Sequence, residues 1–267
     1  MTAIPARTVC LSLDLEPDHA GRASVTYDGW EGERVAALLE LLARHQAPLS
    51  IFVVGDSLGA RPRTIEQFVG AGAEFHLHSF SHDLAAPDST DEIDRGRRAF
   101  EAFFGRPPVG YRAPEGRISA EGWQRLDAAG FTFDSSVFPS FWPRPRYLQY
   151  RPAPFRPAGL SLLELPISTL TPMRLIASLS WMKLLGWPAY RAMLENAAVP
   201  DPFVFDMHLH DLWRLPAFDR LTGPWRYIYR RNAEAGLAIL GSFLDLLAAQ
   251  GWRFSTLGAV AERLRAA

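Results

Sequence analysis

Val9-Cys10-Leu11-Ser12-Leu13-Asp14-Leu15-Glu16 alternates without a break. Val9, Leu11, Leu13 and Leu15 share one face of a strand and Cys10, Ser12, Asp14 and Glu16 the other, because successive strand side chains point opposite ways. Two carboxylates therefore leave the strand's carboxyl end on one side. Residues 32–45 follow with a helical apolar stripe of Val35, Leu38, Leu39 and Leu42, and residues 49–54 read as a second, wholly buried strand. Strand, helix and apolar strand in that order predict parallel pairing within an α/β fold.

Working outward, Gly72-Ala73-Glu74-Phe75-His76-Leu77-His78-Ser79-Phe80-Ser81-His82 begins as a short strand with Phe75 and Leu77 on one face and His76 and His78 on the other. His78 and His82 can share one metal ion if the chain turns at Ser79-Phe80-Ser81. A helical zinc-protease site is excluded, because Ser79 stands where its glutamate would follow the first histidine. An isolated pair of histidines is more often simply hydrogen-bonded, so the rest of the chain must decide.

The strand and helix unit recurs. Asp88 or Ser89 caps a helix ending near Phe104, residues 109–111 form a strand running into Arg112-Ala113-Pro114-Glu115-Gly116, and Ser119 caps a helix that Gly130 ends. Residues 131–134 and 160–166 read as strands, and residues 203–210 alternate Phe203, Phe205, Met207 and Leu209 against Val204, Asp206, His208 and His210. A long helix over 231–250, a strand at 252–254 and a last helix close the chain. In α/β barrels the carboxyl ends of the strands share one rim, where active sites sit. Asp14, Glu16, His78, His82, Arg112, Asp134 and His208 are thus expected to meet, which favours metal binding.

The 267 residues are 48% hydrophobic and 21% charged, enough to bury a sizeable core, and show no repeat, low-complexity tract or linker. Residues 1–267 are expected to form a single catalytic domain. A net charge of -1 gives no basic footprint, so no nucleic-acid partner is expected. One cysteine, Cys10, excludes an internal disulfide and fits a reducing compartment. The first seven residues carry no long apolar run or cleavage site, so a cytoplasmic location is expected. Residues 173–187, apolar but interrupted by Arg174 and Lys183, are too short and too charged to span a bilayer. They are expected to form a buried helix or a flap over substrate, with peripheral membrane contact at most. Residues 138–157, rich in Pro, Arg and aromatics such as Phe141, Trp142, Tyr147 and Tyr150, are expected to wall a substrate cleft.

Taken together, the sequence resembles the polysaccharide deacetylase family, also called the NodB-homology family or carbohydrate esterase family four. The matching pieces are Leu11-Ser12-Leu13-Asp14-Leu15-Glu16, His78-Ser79-Phe80-Ser81-His82, Tyr111-Arg112-Ala113-Pro114-Glu115-Gly116, Phe133-Asp134-Ser135-Ser136 and Met207-His208-Leu209-His210-Asp211, in the family's order. The resemblance implies a distorted, incomplete (β/α) TIM-like barrel and metal-dependent removal of an acetyl or formyl group from an amino sugar. It makes Asp14 the base, His78 and His82 metal ligands, His208 the acid, Asp134 the orienting partner of His208, and Arg112 the group that positions the base or the substrate. Tyr111, Pro114, Trp142 and His210 are then expected to contact substrate. The metal expected is one divalent ion, Zn2+ first, with Co2+, Ni2+ or Mn2+ as alternatives.

The sequence departs from the family in one place that matters. Many members carry two adjacent aspartates, base then ligand, but Leu15 fills the second place; a subset has Asp-x-Glu, which makes Glu16 the third ligand and Asp18 its alternative. In the fifth motif the same subset selects His208, and the commoner His-Asp ending selects His210. The expected partner is an N-acylated amino sugar, nucleotide-linked, lipid-linked or part of a small glycoside. An amidase for a small non-sugar amide and a metal-free sugar-binding relative are the alternatives.

Overall fold

Every residue of β1, Thr8–Leu15, is buried, because parallel neighbours flank it and covered layers lie on both of its faces. The computed structural model describes residues 7–17, 32–60 and 62–266; Asp18 and His19 lie outside them. The other strands are β2 (Leu49–Val53), β3 (Glu74–Leu77), β4 (Gly110–Tyr111), β5 (Phe133–Asp134), β6 (Leu163–Glu164), β7 (Thr169–Leu170), β8 (Leu175–Ile176), β9 (Phe203–His208) and β10 (Arg253–Ser255). The main sheet runs β10-β1-β2-β3-β4-β5-β6 with β9 also on β1, and all its pairings are parallel.

The sheet curls into an incomplete barrel. Its edges are bridged by single hydrogen bonds rather than a ladder: Ser168 N donates to Val204 O (3.0 Å) and Asp206 N to Ala177 O (3.0 Å). Alternation along β1 sets the layers, as expected from its sequence. Val9, Leu11, Leu13 and Leu15 belong to the large core beneath the helices, which includes Val35, Leu38 and Leu42 of the helix Gly32–Arg44. Cys10 instead points inside the curl with Phe52, Phe133, Leu165 and Val204.

Some elements are shorter than their sequence signals. β5 and β6 each hold only two ladder residues, and β9 ends at His208, where the chain turns into the helix Leu209–Leu212. Residues 173–187 are neither one helix nor a simple flap: they contain β8, paired antiparallel to β7, and the helix Leu179–Leu185, capped by Ser178. Among the described residues one run, Gly223–Ala249, is long and apolar enough to cross a membrane by length and composition. It is broken at Asn232 (φ 52°), and its second part, Gly236–Ala249, buries Ile239, Leu240, Phe243, Leu244 and Leu247, as a core helix does.

Candidate active site

The carboxyl ends of β1, β3, β4 and β9 deliver their polar residues to one place. Glu16 Oε2 lies 2.7 Å from His82 Nε2 and 3.7 Å from His78 Nε2, and the three side chains offer donor atoms within 4.8 Å of one another. Glu16, His78 and His82 are each at most 5% exposed. His78 Nδ1 stands 2.8 Å from the Arg112 carbonyl, which can only accept, so Nδ1 carries the proton and Nε2 presents its lone pair to the cluster. Two neutral imidazoles and a carboxylate suit a divalent cation, and a histidine whose second nitrogen donates to a carbonyl is the usual arrangement of a metal ligand. Burial opposes the charge on Glu16, but His82 and His208 outweigh it and hold the carboxyl well below its ordinary 4.5.

His82 reaches the cluster through a tight turn. Ser79 (φ 59°) and His82 (φ 61°) both occupy the left-handed region, which non-glycine residues visit rarely. Glu92, from the helix Thr90–Phe104, holds this turn: its Oε2 accepts from Phe80 N (3.0 Å) and Ser81 N (2.8 Å), and its Oε1 from Ser81 Oγ (2.7 Å). Gly96 lets that helix approach, since a Cβ there would stand 2.9 Å from Leu77.

Beside the donors, Arg112 is 1% exposed and binds two carboxylates through one nitrogen: Nη1 donates to Asp14 Oδ1 (2.6 Å) and Asp206 Oδ1 (2.8 Å). Its Nη2 donates to Ser12 Oγ and Ser135 Oγ, both at 3.0 Å, and Nε to Ser135 O (2.9 Å). Arg112 therefore positions the Asp14 carboxylate, and leaves Oδ2 facing His78 Nε2 (3.8 Å) and His208 Nε2 (3.9 Å). Burial and the nearby Asp14 push the Asp206 carboxyl up to about 7, against the pull of Arg112.

On the opposite side, His208 Nε2 lies 3.7 Å from Glu16 Oε1. Its Nδ1 and backbone N both meet Asp211 Oδ2, at 3.3 and 3.1 Å. Asp211 in turn accepts from Ser180 Oγ (2.7 Å) and faces the buried Lys183 Nζ (3.4 Å). Burial disfavours the imidazolium, but Glu16, Asp211 and Asp206 raise the His208 pKa well above its ordinary value.

These contacts correct four expectations. The partner of His208 is Asp211, not Asp134. Asp134 accepts from Trp123 Nε1 (2.9 Å) and Ser136 Oγ (2.6 Å), and Ser136 Oγ accepts from Ala113 N (2.8 Å), so Asp134 braces the loop after β4. Tyr111 and Pro114 do not line the cleft: Tyr111 is a core side chain whose hydroxyl donates to Pro87 O, and Pro114 is buried at the start of a 3-10 turn. His210 leaves the cleft because the chain turns helical at Leu209; it stacks 4.6 Å behind His208. Sequence reasoning assigned no role to Asp206 or Asp211, although Asp206 shares its strand face with His208 and Asp211 stands at the helix-start spacing from it. The remaining histidine of the β3 pair, His76, bonds Glu74 (2.8 Å) and packs against Phe133, one layer below the site.

The site floors a cleft of about 500 Å3 whose walls include Trp142, Arg144, Ile176, Trp181 and Trp225. A curled parallel sheet with a three-donor cluster that could hold a metal ion, a clamped aspartate and a braced histidine on its carboxyl rim defines a class of incomplete α/β barrels.

Residues 16–133 match the family model described as polysaccharide deacetylase. That stretch is similar to the polysaccharide deacetylase, or NodB-homology, family. A peptidoglycan deacetylase-like protein of Gibberella zeae is 31% identical over 109 residues, and the peptidoglycan-N-acetylglucosamine deacetylase of Bacillus cereus is 23% identical over 120. The aligned stretches cover 39% and 43% of this chain, and 32% and 56% of those relatives. Among solved structures, a Mycobacterium smegmatis protein assigned to the polysaccharide deacetylases superposes with a TM-score of 0.65 at 22% identity, covering 99% of this chain and 93% of that one. A CE4 family pseudoenzyme from Bacillus anthracis superposes with a TM-score of 0.58 at 14% identity, covering 96% and 66%. Both likenesses bear on the fold.

Proposed function

We propose that the chain hydrolyses the N-acyl amide of an amino sugar in a metal-dependent reaction. The observation that carries this reading is the placement of Asp14 and His208 on either side of the Glu16, His78 and His82 donors at the cleft floor. A divalent cation held by those three residues, Zn2+ being the best match to two imidazoles and a carboxylate, supplies Lewis acidity for the acyl carbonyl and for the attacking water. Asp14 takes the proton from that water at Oδ2, since Arg112 ties down Oδ1. His208 gives a proton from Nε2 to the departing amine, and Asp211 holds the ring by Nδ1. Trp142 and Trp181 offer the sugar apolar walls.

The test uses purified protein, its metal content and the release of acetate or formate from acylated amino sugars. Asp14→Asn is expected to keep its metal and lose about 10²–10⁴ in kcat, the usual worth of a positioned base. His78→Ala is expected to lose the metal. Full turnover by Asp14→Asn would remove Asp14 as base, and full turnover by thoroughly metal-stripped protein would remove the metal.

A further inference from the structure

Six large apolar side chains stand exposed among the described residues, and five of them, Phe141, Trp142, Met173, Leu185 and Tyr227, lie on the segments that also supply cleft-lining residues such as Trp142, Ile176, Trp181 and Trp225. Trp142 itself lines the cleft and meets the Trp181 ring at 6.0 Å. Next to Met173, Arg174 donates to Pro139 O (3.4 Å), which ties the β7–β8 hairpin to the segment carrying Phe141. Leu185 follows Leu184, whose carbonyl accepts from Arg231 (3.1 Å), and Tyr227 lies on the helix Gly223–Arg230 between Trp225 and Ile228, both facing inward.

Charge on this rim is one-sided. Residues 138–151, 171–187 and 222–231 hold seven arginines outside the buried core, besides the buried Lys183 that faces Asp211, and no Asp or Glu, in a chain with 28 Lys and Arg and 29 Asp and Glu. Arg144 pairs with Glu115 and Arg230 with Asp219, both from outside these segments, whereas Arg226 stands exposed beside Tyr227. Below the rim a second cavity of about 150 Å3 opens between Trp142, Trp181, Leu184, Trp225, Ile228 and Tyr229, an apolar continuation of the exposed surface.

We propose that the mouth of the cleft docks on an anionic lipid surface, with Phe141, Met173, Leu185 and Tyr227 entering the headgroup layer and the arginines meeting lipid phosphates. Exposed aromatic and aliphatic side chains interleaved with arginine are what such an interface requires, since apolar burial and attraction to anionic lipid add. A glycan chain is a poorer match: Met173 and Leu185 offer no ring for a sugar to stack on, and the three segments lack the carboxylates that commonly receive sugar hydroxyls. The proposal concerns the surface alone and stands whether or not the site deacylates amino sugars.

Sedimentation with vesicles tests it. The protein is expected to pellet with vesicles of equimolar phosphatidylglycerol and phosphatidylcholine at low salt, to be released as salt rises, and to pellet little with phosphatidylcholine alone. Phe141→Ser/Met173→Ser/Tyr227→Ser is expected to lower the partition coefficient by about tenfold or more at an unchanged melting temperature. Arg226→Glu should weaken binding to the anionic vesicles only. Wild-type protein that stays in the supernatant with anionic vesicles at low salt overturns the proposal, as does a triple variant that binds as wild type does. Retardation by an anionic polysaccharide gel without vesicle binding would give the rim to a glycan and overturn it equally.

Discussion

Arg112 is a fully enclosed cation that answers two carboxylates, and the geometry divides their roles. Asp14 keeps one oxygen facing the donor cluster, while Asp206, raised by burial and by Asp14, shares the guanidinium from behind. His208 is served the same way by Asp211, whose charge Ser180 at the cleft wall and the buried Lys183 stabilise. Asp211→Asn removes the carboxylate that holds Nδ1 and the backbone N, so the ring loses its fixed tautomer and orientation. The expected result is a fall of about 10²-fold in kcat with KM and metal content little changed. A fall in metal content as well would mean that Asp211 serves the donors rather than the acid. Both aspartates were within reach of the sequence: Asp206 by alternation along β9, and Asp211 by the capping relation that a strand-to-helix turn at His208 creates. What hid Asp211 was reading β9 through to residue 210, which left His210 on the site's face and Asp211 off it.

The turn at residues 79–82 shows how an element makes a ligand available. Its left-handed residues are held by one side chain from another element, the carboxylate of Glu92, which accepts two backbone N–H groups and a hydroxyl. Charge-assisted bonds of this kind are roughly twice as strong as neutral ones. Glu92→Gln keeps the shape but loses the charge, and one of its oxygens becomes a donor. Metal affinity is expected to fall about 10–100-fold, the usual cost of losing a group that supports a ligand. Competition with a chromophoric chelator measures it, and an unchanged affinity would show that the turn holds His82 without help. The succession of strands and helices, the carboxyl rim and the His78 and His82 pair were legible because they depend on local period and parallel pairing. Glu92 was not, because its partner lies across a helix–loop contact and nothing local in the sequence marks it. Asp134 misled for the same reason: it ends a strand at the rim, yet its neighbours Trp123 and Ser136 keep it on the far side of the β4 loop.

Across the whole sheet, two carboxylates, Glu74 half-buried and Glu164 fully buried, place opposite pH limits on stability. Glu74 joins β2, β3 and the helix Leu257–Ala266 through Ser50 Oγ (3.0 Å), His76 Nε2 (2.8 Å) and Gly258 N (2.9 Å). Burial opposes its charge, but His76 and these donors outweigh it and lower the carboxyl from 4.5 to about 2. Its contribution is therefore complete above about pH 4.5 and lost as pH falls toward 2, with about 3 kcal/mol as the upper bound. Glu164 has the reverse sign. It is fully buried opposite Asp134 on the paired strands β5 and β6, and burial together with that neighbour raises its carboxyl well above 4.5. Folding then holds a proton that the unfolded chain releases, so stability is greatest below about pH 4.5 and declines as pH rises through the folded value. Urea unfolding followed from acid to alkaline pH should show both limbs. Glu74→Gln should lessen the slope of the acid limb only, to which Glu16 also contributes, and Glu164→Gln, which can still donate to Asp134 without releasing a proton, should lessen the slope of the other, to which Asp206 also contributes, and stabilise the protein at neutral pH. A slope between pH 5 and neutrality that is the same in Glu164→Gln as in wild type, or a neutral-pH loss in Glu164→Gln, would mean that Glu164 and Asp134 share no proton and that the sheet edge beside the gap is held by packing alone.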